Sequence, residues 1–262
     1  MTSGKAARRL RQAAAAPPPV RRKGERRRAQ PKVLLGATLT LVLIGAGVGV
    51  ALAFTGGGSV SSPPPSKLPD AASVQRLFQG IPQQGNVLGR PGAPVTMVEY
   101  IDLQCPYCRE FETQVMPDVI ARYVRTGKLK VVARPIAFIG PDSVRGQRAT
   151  IAAGKQGKFF GFAQLLYDNQ GTENAGWLSS SLVKDAAASI SGLDAAQLDR
   201  SLNASAVKAQ AQTFASQART DGVTGTPTLL VGKTGAKPAR VTLSSPSDEH
   251  TFVAAIQAAL RS

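Results

Sequence analysis

The chain's only two cysteines, Cys105 and Cys108, are separated by Pro106 and Tyr107 alone, and the sequence changes character at that point. Upstream, Val95–Ile101 is rich in β-branched and aromatic residues, the composition of a buried strand. Downstream, Pro106 suits the first turn of a helix, where its missing N–H is not needed. From Phe111 the apolar residues Val115, Met116, Val119, Ile120 and Tyr123 follow at three- and four-residue spacing, which is one helical face. Cys105 is thereby placed at a helix N-terminus. Unpaired N–H groups and the macrodipole favour a negative charge there, which lowers a thiol's pKa and makes it a nucleophile.

A C-x-x-C pair has two other uses. A structural zinc takes four ligands, and this chain adds only His250 to its two cysteines, so a second chain would be needed. A purely structural disulfide closing so short a loop removes little unfolded-chain entropy. The favoured reading is a redox-active dithiol with no metal and no cofactor beyond the Cys105–Cys108 pair itself.

The net charge of +16 is unevenly placed. Residues 1–32 hold eleven Lys or Arg against Glu25 alone, so ten of the sixteen net charges lie there. Residues 33–54 follow without a charged side chain. As a helix they would extend roughly 33 Å, enough to cross a hydrocarbon core. The expected layout is a disordered basic cytoplasmic tail over 1–32 and a transmembrane signal anchor over 33–54. Everything after residue 54 would then lie outside the membrane, giving a single-pass membrane protein with an extracytoplasmic domain. The adjacent span accounts for the basic tail, so no nucleic-acid partner is called for. Ala51-Leu52-Ala53 has the form of a signal cleavage site, but the length of the apolar and basic segments favours an uncleaved anchor.

Residues 55–67 are Gly/Ser-rich and then Pro-rich, and the linker is expected to run over 55–79. Asp70 is a candidate cap for a short helix over Ala71–Phe78, and Gln83-Gln84-Gly85-Asn86 is a turn signal for a small hairpin. A folded domain is expected over 80–262. A second main strand is read over 129–138, then helical patterning over 143–167, 174–190 and 194–220. Strand character returns at 226–231 and 240–243, and an amphipathic helix over 248–260 closes the chain. Phe159, Phe160, Phe162 and Trp177 are read as helical-domain core.

Residues 99–108, taken with Gly225-Thr226-Pro227-Thr228, resemble the DsbA-type branch of the thioredoxin superfamily in its membrane-anchored bacterial form. The resemblance covers about residues 80–260. It implies an α/β, thioredoxin-like fold with an inserted helical domain at about 142–222, here preceded by one transmembrane helix. It further implies that Cys105 attacks substrates, that Cys108 resolves the mixed disulfide, and that Thr226-Pro227 is a cis-proline loop pairing with substrate backbone. Glu99, six residues before Cys105, matches a buried acid beneath the active site, and it shares a strand face with Met97 and Ile101. Pro106-Tyr107 departs from the histidine-containing dipeptide of many strongly oxidising members. Tyr107 cannot become a cation, so the dipeptide offers the Cys105 thiolate no charge stabilisation.

The expected function is extracytoplasmic disulfide formation in secreted or membrane proteins. The resemblance implies unfolded proteins as substrates and a quinone-linked membrane oxidase of the DsbB or vitamin-K-epoxide-reductase type as the partner. An isomerase or reductase would use the same dithiol in another direction. A redox-inactive, membrane-tethered binding or sensor module is the rival of a different class.

Overall fold

The computed structural model describes residues 67–262. The basic tail, the span over 33–54, the cleavage motif and most of the linker lie outside the described residues. Among the described residues, no helix is long and apolar enough to cross a membrane.

Helix α1 (Ala71–Phe78) opens the described chain and buries Val74 and Phe78. The folded region therefore begins before residue 71, and the linker stops short of its expected end at 79. Asp70 stands at the helix start with φ 63° and its side chain does not cap; its carbonyl instead accepts from Ser73 Oγ and Val74 N. The hairpin read from the Gly-Asn turn is β1 (Gln83–Gln84) with β2 (Val87–Leu88).

Strand β3 (Val95–Ile101) leads to α2 (Pro106–Gln114), α3 (Met116–Val119) and a π-helical turn at Ile120–Val124. The apolar face expected to run on from Phe111 is thus interrupted near Val115. The cause is Pro117, which has no N–H to give the preceding turn. Strand β4 (Leu129–Pro135) ends earlier than the pattern over 129–138 indicates.

The inserted helices are α4 (Pro141–Gly154), α5 (Phe159–Asp168), α6 (Ser180–Ser189), α7 (Ala195–Ser201) and α8 (Ser205–Thr220). The block read over 194–220 is two helices, broken at Leu202–Ala204. The block read from 174 starts only at Ser180, because Asn174 takes φ 55° in a loop. Phe159, Phe160 and Phe162 are buried, and Trp177 packs partly buried against the core. Strands β5 (Thr228–Lys233) and β6 (Ala239–Val241) and helix α9 (Glu249–Arg261) complete the chain.

The sheet order is β1-β2-β4-β3-β5-β6. Strand β3 lies between β4, to which it is parallel, and β5, to which it is antiparallel. Paired along both edges, it is also buried on both faces, which explains its nearly unbroken apolar composition. On one face Phe111 of α2 meets Phe252 of α9 edge-on, with ring centroids 5.1 Å apart and planes at 84°. The strand-helix-strand unit β3-α2-β4 delivers Cys105 to the C-terminal end of the central strand. Helix α4 approaches the loop after β3 closely, because Gly146 has no side chain: a Cβ there would stand 2.9 Å from Leu103 Cβ.

Candidate active site

Cys105 is the N-cap of α2 in extended backbone conformation, with Pro106 as the first helical residue. Both cysteines are free thiols. Cys108 is fully enclosed, and Cys105 is the less closed of the two at 4% exposure. Cys105 Sγ donates to the Thr226 carbonyl at 3.2 Å, and the Thr226-Pro227 peptide bond is cis. The chain thus brings Cys105, Cys108, Thr226 and Pro227 together across about 120 residues of sequence.

The two thiols differ sharply in electrostatics. The Cys105 thiol is lowered from 9.0 to about 6. The largest cause is a hydrogen bond from Cys108, followed by the Thr226 side chain and the backbone amides of Cys108 and Tyr107, all acting against burial. Burial pushes the Cys108 thiol well above the ordinary range, and its interaction with Cys105 adds to this. At neutral pH the Cys105 sulfur therefore favours the thiolate, giving up the proton it otherwise donates to the Thr226 carbonyl, while its neighbour stays a thiol. Tyr107 supplies no charge and is 59% exposed. Helix N-terminus and neighbouring donors achieve what a cationic dipeptide would otherwise add.

Glu99 is 1% exposed. Its carboxyl interacts with that of Glu112 on α2, and two buried acids so close to each other favour a state in which one of them holds a proton. Burial raises Glu99 from 4.5 to about 7 and drives Glu112 well above the carboxylate range. Glu99 Oε2 and Glu112 Oε1 are buried without a hydrogen-bond partner. Sequence reasoning missed Glu112, although its place four residues after Cys108 on the same helix would have marked it as a neighbour. Tyr167 of α5 senses the charges of Cys108, Glu112, Glu99 and Asp102, so all five share one neighbourhood.

The paired acids predict a pH effect. Between 4.5 and about 7 folded Glu99 keeps a proton that the unfolded chain has released. Its contribution is complete below pH 4.5 and is lost as pH rises through 7. In Glu99→Gln, unfolding free energies measured in urea at pH 5 and pH 8 are expected to converge by roughly 2 kcal/mol relative to wild type. An unchanged pH dependence would contradict this assignment.

Asp102 is also buried, but its work is structural. Its Oδ1 accepts from Gln104 N at 2.9 Å, and its Oδ2 from Phe138 N at 2.7 Å and Ile139 N at 2.9 Å. The inserted helices grip the same loop. Gln170 Nε2 donates to the carbonyls of Leu103 and Cys105, Tyr167 Oη to that of Asp102, and Gln104 bonds Ser143 and Asn174. These partners lie 39 to 70 residues from the loop and carry no local sequence signal.

Beside the cysteines runs a groove of about 380 Å³, bounded by Tyr107, Thr226, Pro227, Arg240, Leu243 and Pro246 among others. Phe138, 56% exposed, is with Tyr107 the large apolar side chain most open to solvent among the described residues. A larger hollow of about 730 Å³ opens against Val98, Arg134 and Gln217 and does not touch Pro227. Neither hollow is lined by a cysteine, but the smaller one is walled by Thr226, whose carbonyl meets Cys105 Sγ, and by Pro227.

Comparison with known proteins agrees with this geometry. A thioredoxin family model matches residues 83–257. The probable disulfide bond formation protein D of Bacillus cereus is 31% identical over 157 residues, covering 58% of this chain and 71% of that protein. The oxidised crystal structure of BdbD from Bacillus subtilis has the same fold, with a TM-score of 0.60 at 23% identity over 70% of this chain and 98% of that one. A thioredoxin-like oxidoreductase from Silicibacter pomeroyi gives a TM-score of 0.54 at 28% identity, over 74% and 99% of the two chains.

Proposed function

Because the chain belongs to the thioredoxin family, we propose that it catalyses disulfide formation in secreted or membrane proteins through Cys105 and Cys108. Its class is that of a DsbA-type thiol–disulfide oxidoreductase, homologous to disulfide bond formation protein D. The observation that carries the proposal is the split between the two sulfurs, one lowered to about 6 and the other raised by burial.

A substrate thiolate attacks Cys105 Sγ of the Cys105–Cys108 disulfide. The sulfur–sulfur bond breaks and Cys108 leaves with the electron pair. A second substrate thiolate then attacks the substrate sulfur of the mixed disulfide and expels Cys105 as a thiolate. Two electrons have passed from the substrate dithiol to the enzyme. The leaving Cys108 is too buried to remain charged and takes up a proton. The Glu99–Glu112 pair holds one at neutral pH and is the proposed donor. Thr226 and Pro227 are the proposed pairing edge for substrate backbone, and the groove beside Tyr107 the place of the substrate chain.

Reoxidation needs an external partner, since no further cysteine exists. A quinone-linked membrane oxidase of the DsbB or vitamin-K-epoxide-reductase type meets that need. The apolar run over 33–54 and the basic residues before it support a single-pass anchor with the catalytic domain outside, where structural disulfides are made. The test is oxidative refolding of reduced RNase by the oxidised protein. Recovery of RNase activity with one enzyme dithiol formed per disulfide is expected, and refolding no faster than in air would defeat the proposal.

A further inference from the structure

The segment 223–227, which carries Thr226 and Pro227 to Cys105, makes few bonds of its own. Val223 N donates to Ala218 O, and Thr228 Oγ1 donates to Gly225 O at 2.8 Å. One side chain on the neighbouring edge strand holds both of its ends. Arg240 of β6 donates from Nη2 to the carbonyls of Asp221 at 2.9 Å and Gly222 at 3.0 Å, just before the segment. Its Nη1 reaches Thr228 Oγ1 at 3.4 Å, just after it.

The local chain is built to receive a cation there. Helix α8 ends with Gly222 at φ 64°, in the left-handed region, so carbonyls face outward at the negative end of a helix. A planar guanidinium spans two carbonyls as an ammonium does not. Asp221 is also fixed from beneath. Tyr100 Oη donates to its Oδ2 at 2.6 Å, and Arg134 pairs with the same oxygen at 3.2 Å while lying 5.3 Å from the Tyr100 ring centroid.

We propose that Arg240 is a positioning residue for the exchange reaction, bridging Asp221 and Gly222 to Thr228 and so fixing where Thr226 stands against Cys105. The proposal rests on the reading of Cys105 as the reacting thiol. Nothing in the sequence motif contains Arg240, which is reached only through the folding of β6 beside β5.

The test uses the reduced protein with Arg240→Met, beside Arg122→Met as a control that removes an exposed cation bonded to Glu249 and not to the segment 221–228. Ultraviolet titration of the Cys105 thiolate reads the site without any substrate. In Arg240→Met the midpoint is expected to rise from about 6, because the Thr226 contribution weakens. Amide exchange across 222–228 is expected to quicken by about tenfold. The KM for a reduced peptide dithiol is expected to rise by about tenfold, with kcat changed by less than about threefold. Arg122→Met should match wild type in all three. Wild-type titration and exchange in Arg240→Met would overturn the proposal. If that variant does not fold, Arg240→Lys and Arg240→Gln decide: each should shift in the same direction by less, and wild-type behaviour in both would overturn it. A wild-type protein that transfers no disulfide would instead defeat the functional reading, while titration and exchange would still report on the clasp.

Discussion

Cys105→Ser is expected to abolish disulfide transfer to reduced RNase, a loss of about a thousandfold or more, because no other thiol can take the place of the attacked sulfur. The fold should survive, since the substitution is nearly isosteric and Cys105 already stands as a helix N-cap, a position serine favours. Cys108→Ser should behave differently. Cys105 remains a thiolate former at the edge of the groove, but no partner is left to release a captured substrate. With a disulfide-bonded substrate, whose bond the Cys105 thiolate opens by expelling one substrate sulfur, mixed disulfides should therefore accumulate and be visible on non-reducing gels. Because a hydrogen bond from Cys108 is the largest cause of the lowering at Cys105, Cys108→Ala, which leaves no donor, should also raise the Cys105 midpoint. Equal transfer by wild type and Cys105→Ser would leave the dithiol without a catalytic role.

The largest stability effect is expected at Phe111→Ala. Phe111 is fully buried on α2, about one turn beyond Cys108, and its ring meets Phe252 of α9 edge-on. Removing it forfeits the transfer free energy of a large side chain and leaves a cavity between two elements that hold the sheet's face. The cost should be about 3–5 kcal/mol, or a Tm fall of roughly 10 °C, read by thermal unfolding of the reduced protein. An aromatic pair of this geometry adds about 1 kcal/mol beyond area, so Phe252→Ala should couple with it in a double-mutant cycle. Strict additivity of the two would mean that the rings do not support each other.

Much of this architecture is legible in the chain. The strand over Val95–Ile101 declares itself because both its faces are covered, and Pro106 marks the start of α2. Gly222, Gly192, Gly157 and Gly127 all lie at positive φ where helical or turn patterning stops. Two kinds of feature were not legible. The breaks at Val115 and at Leu202–Ala204 depend on where a missing or spare N–H falls, and apolar periodicity is blind to that. The partners of the reacting loop are the second kind. Gln170, Asn174, Tyr167 and Arg240 reach it from elements far along the chain, through side chains that look like ordinary polar surface. A buried acid at Glu99 was implied by the family resemblance, with strand alternation agreeing only in part, yet its coupling to Glu112 required both the strand and the helix packed on it.

The dipeptide is where sequence and structure pull hardest against each other. Tyr107 carries no charge to stabilise a thiolate, which argues for a weak oxidant. The lowered Cys105 argues the other way, since a thiolate held near 6 stabilises the reduced form and so makes the disulfide more oxidising. The helix N-terminus, the Cys108 thiol and Thr226 together replace the missing cation.

The measurement that tests this most directly is the reduction potential of the Cys105–Cys108 couple in glutathione buffers at pH 7. Thioredoxin stands at about −270 mV and DsbA at about −120 mV. A thiolate lowered to about 6, about one unit below thioredoxin's, moves this couple about 30–45 mV above thioredoxin's, to roughly −230 mV, still well above the roughly −300 mV of stable structural disulfides. A value at or below about −270 mV would contradict the account, because such a couple rests reduced and passes electrons to its substrates instead of taking them.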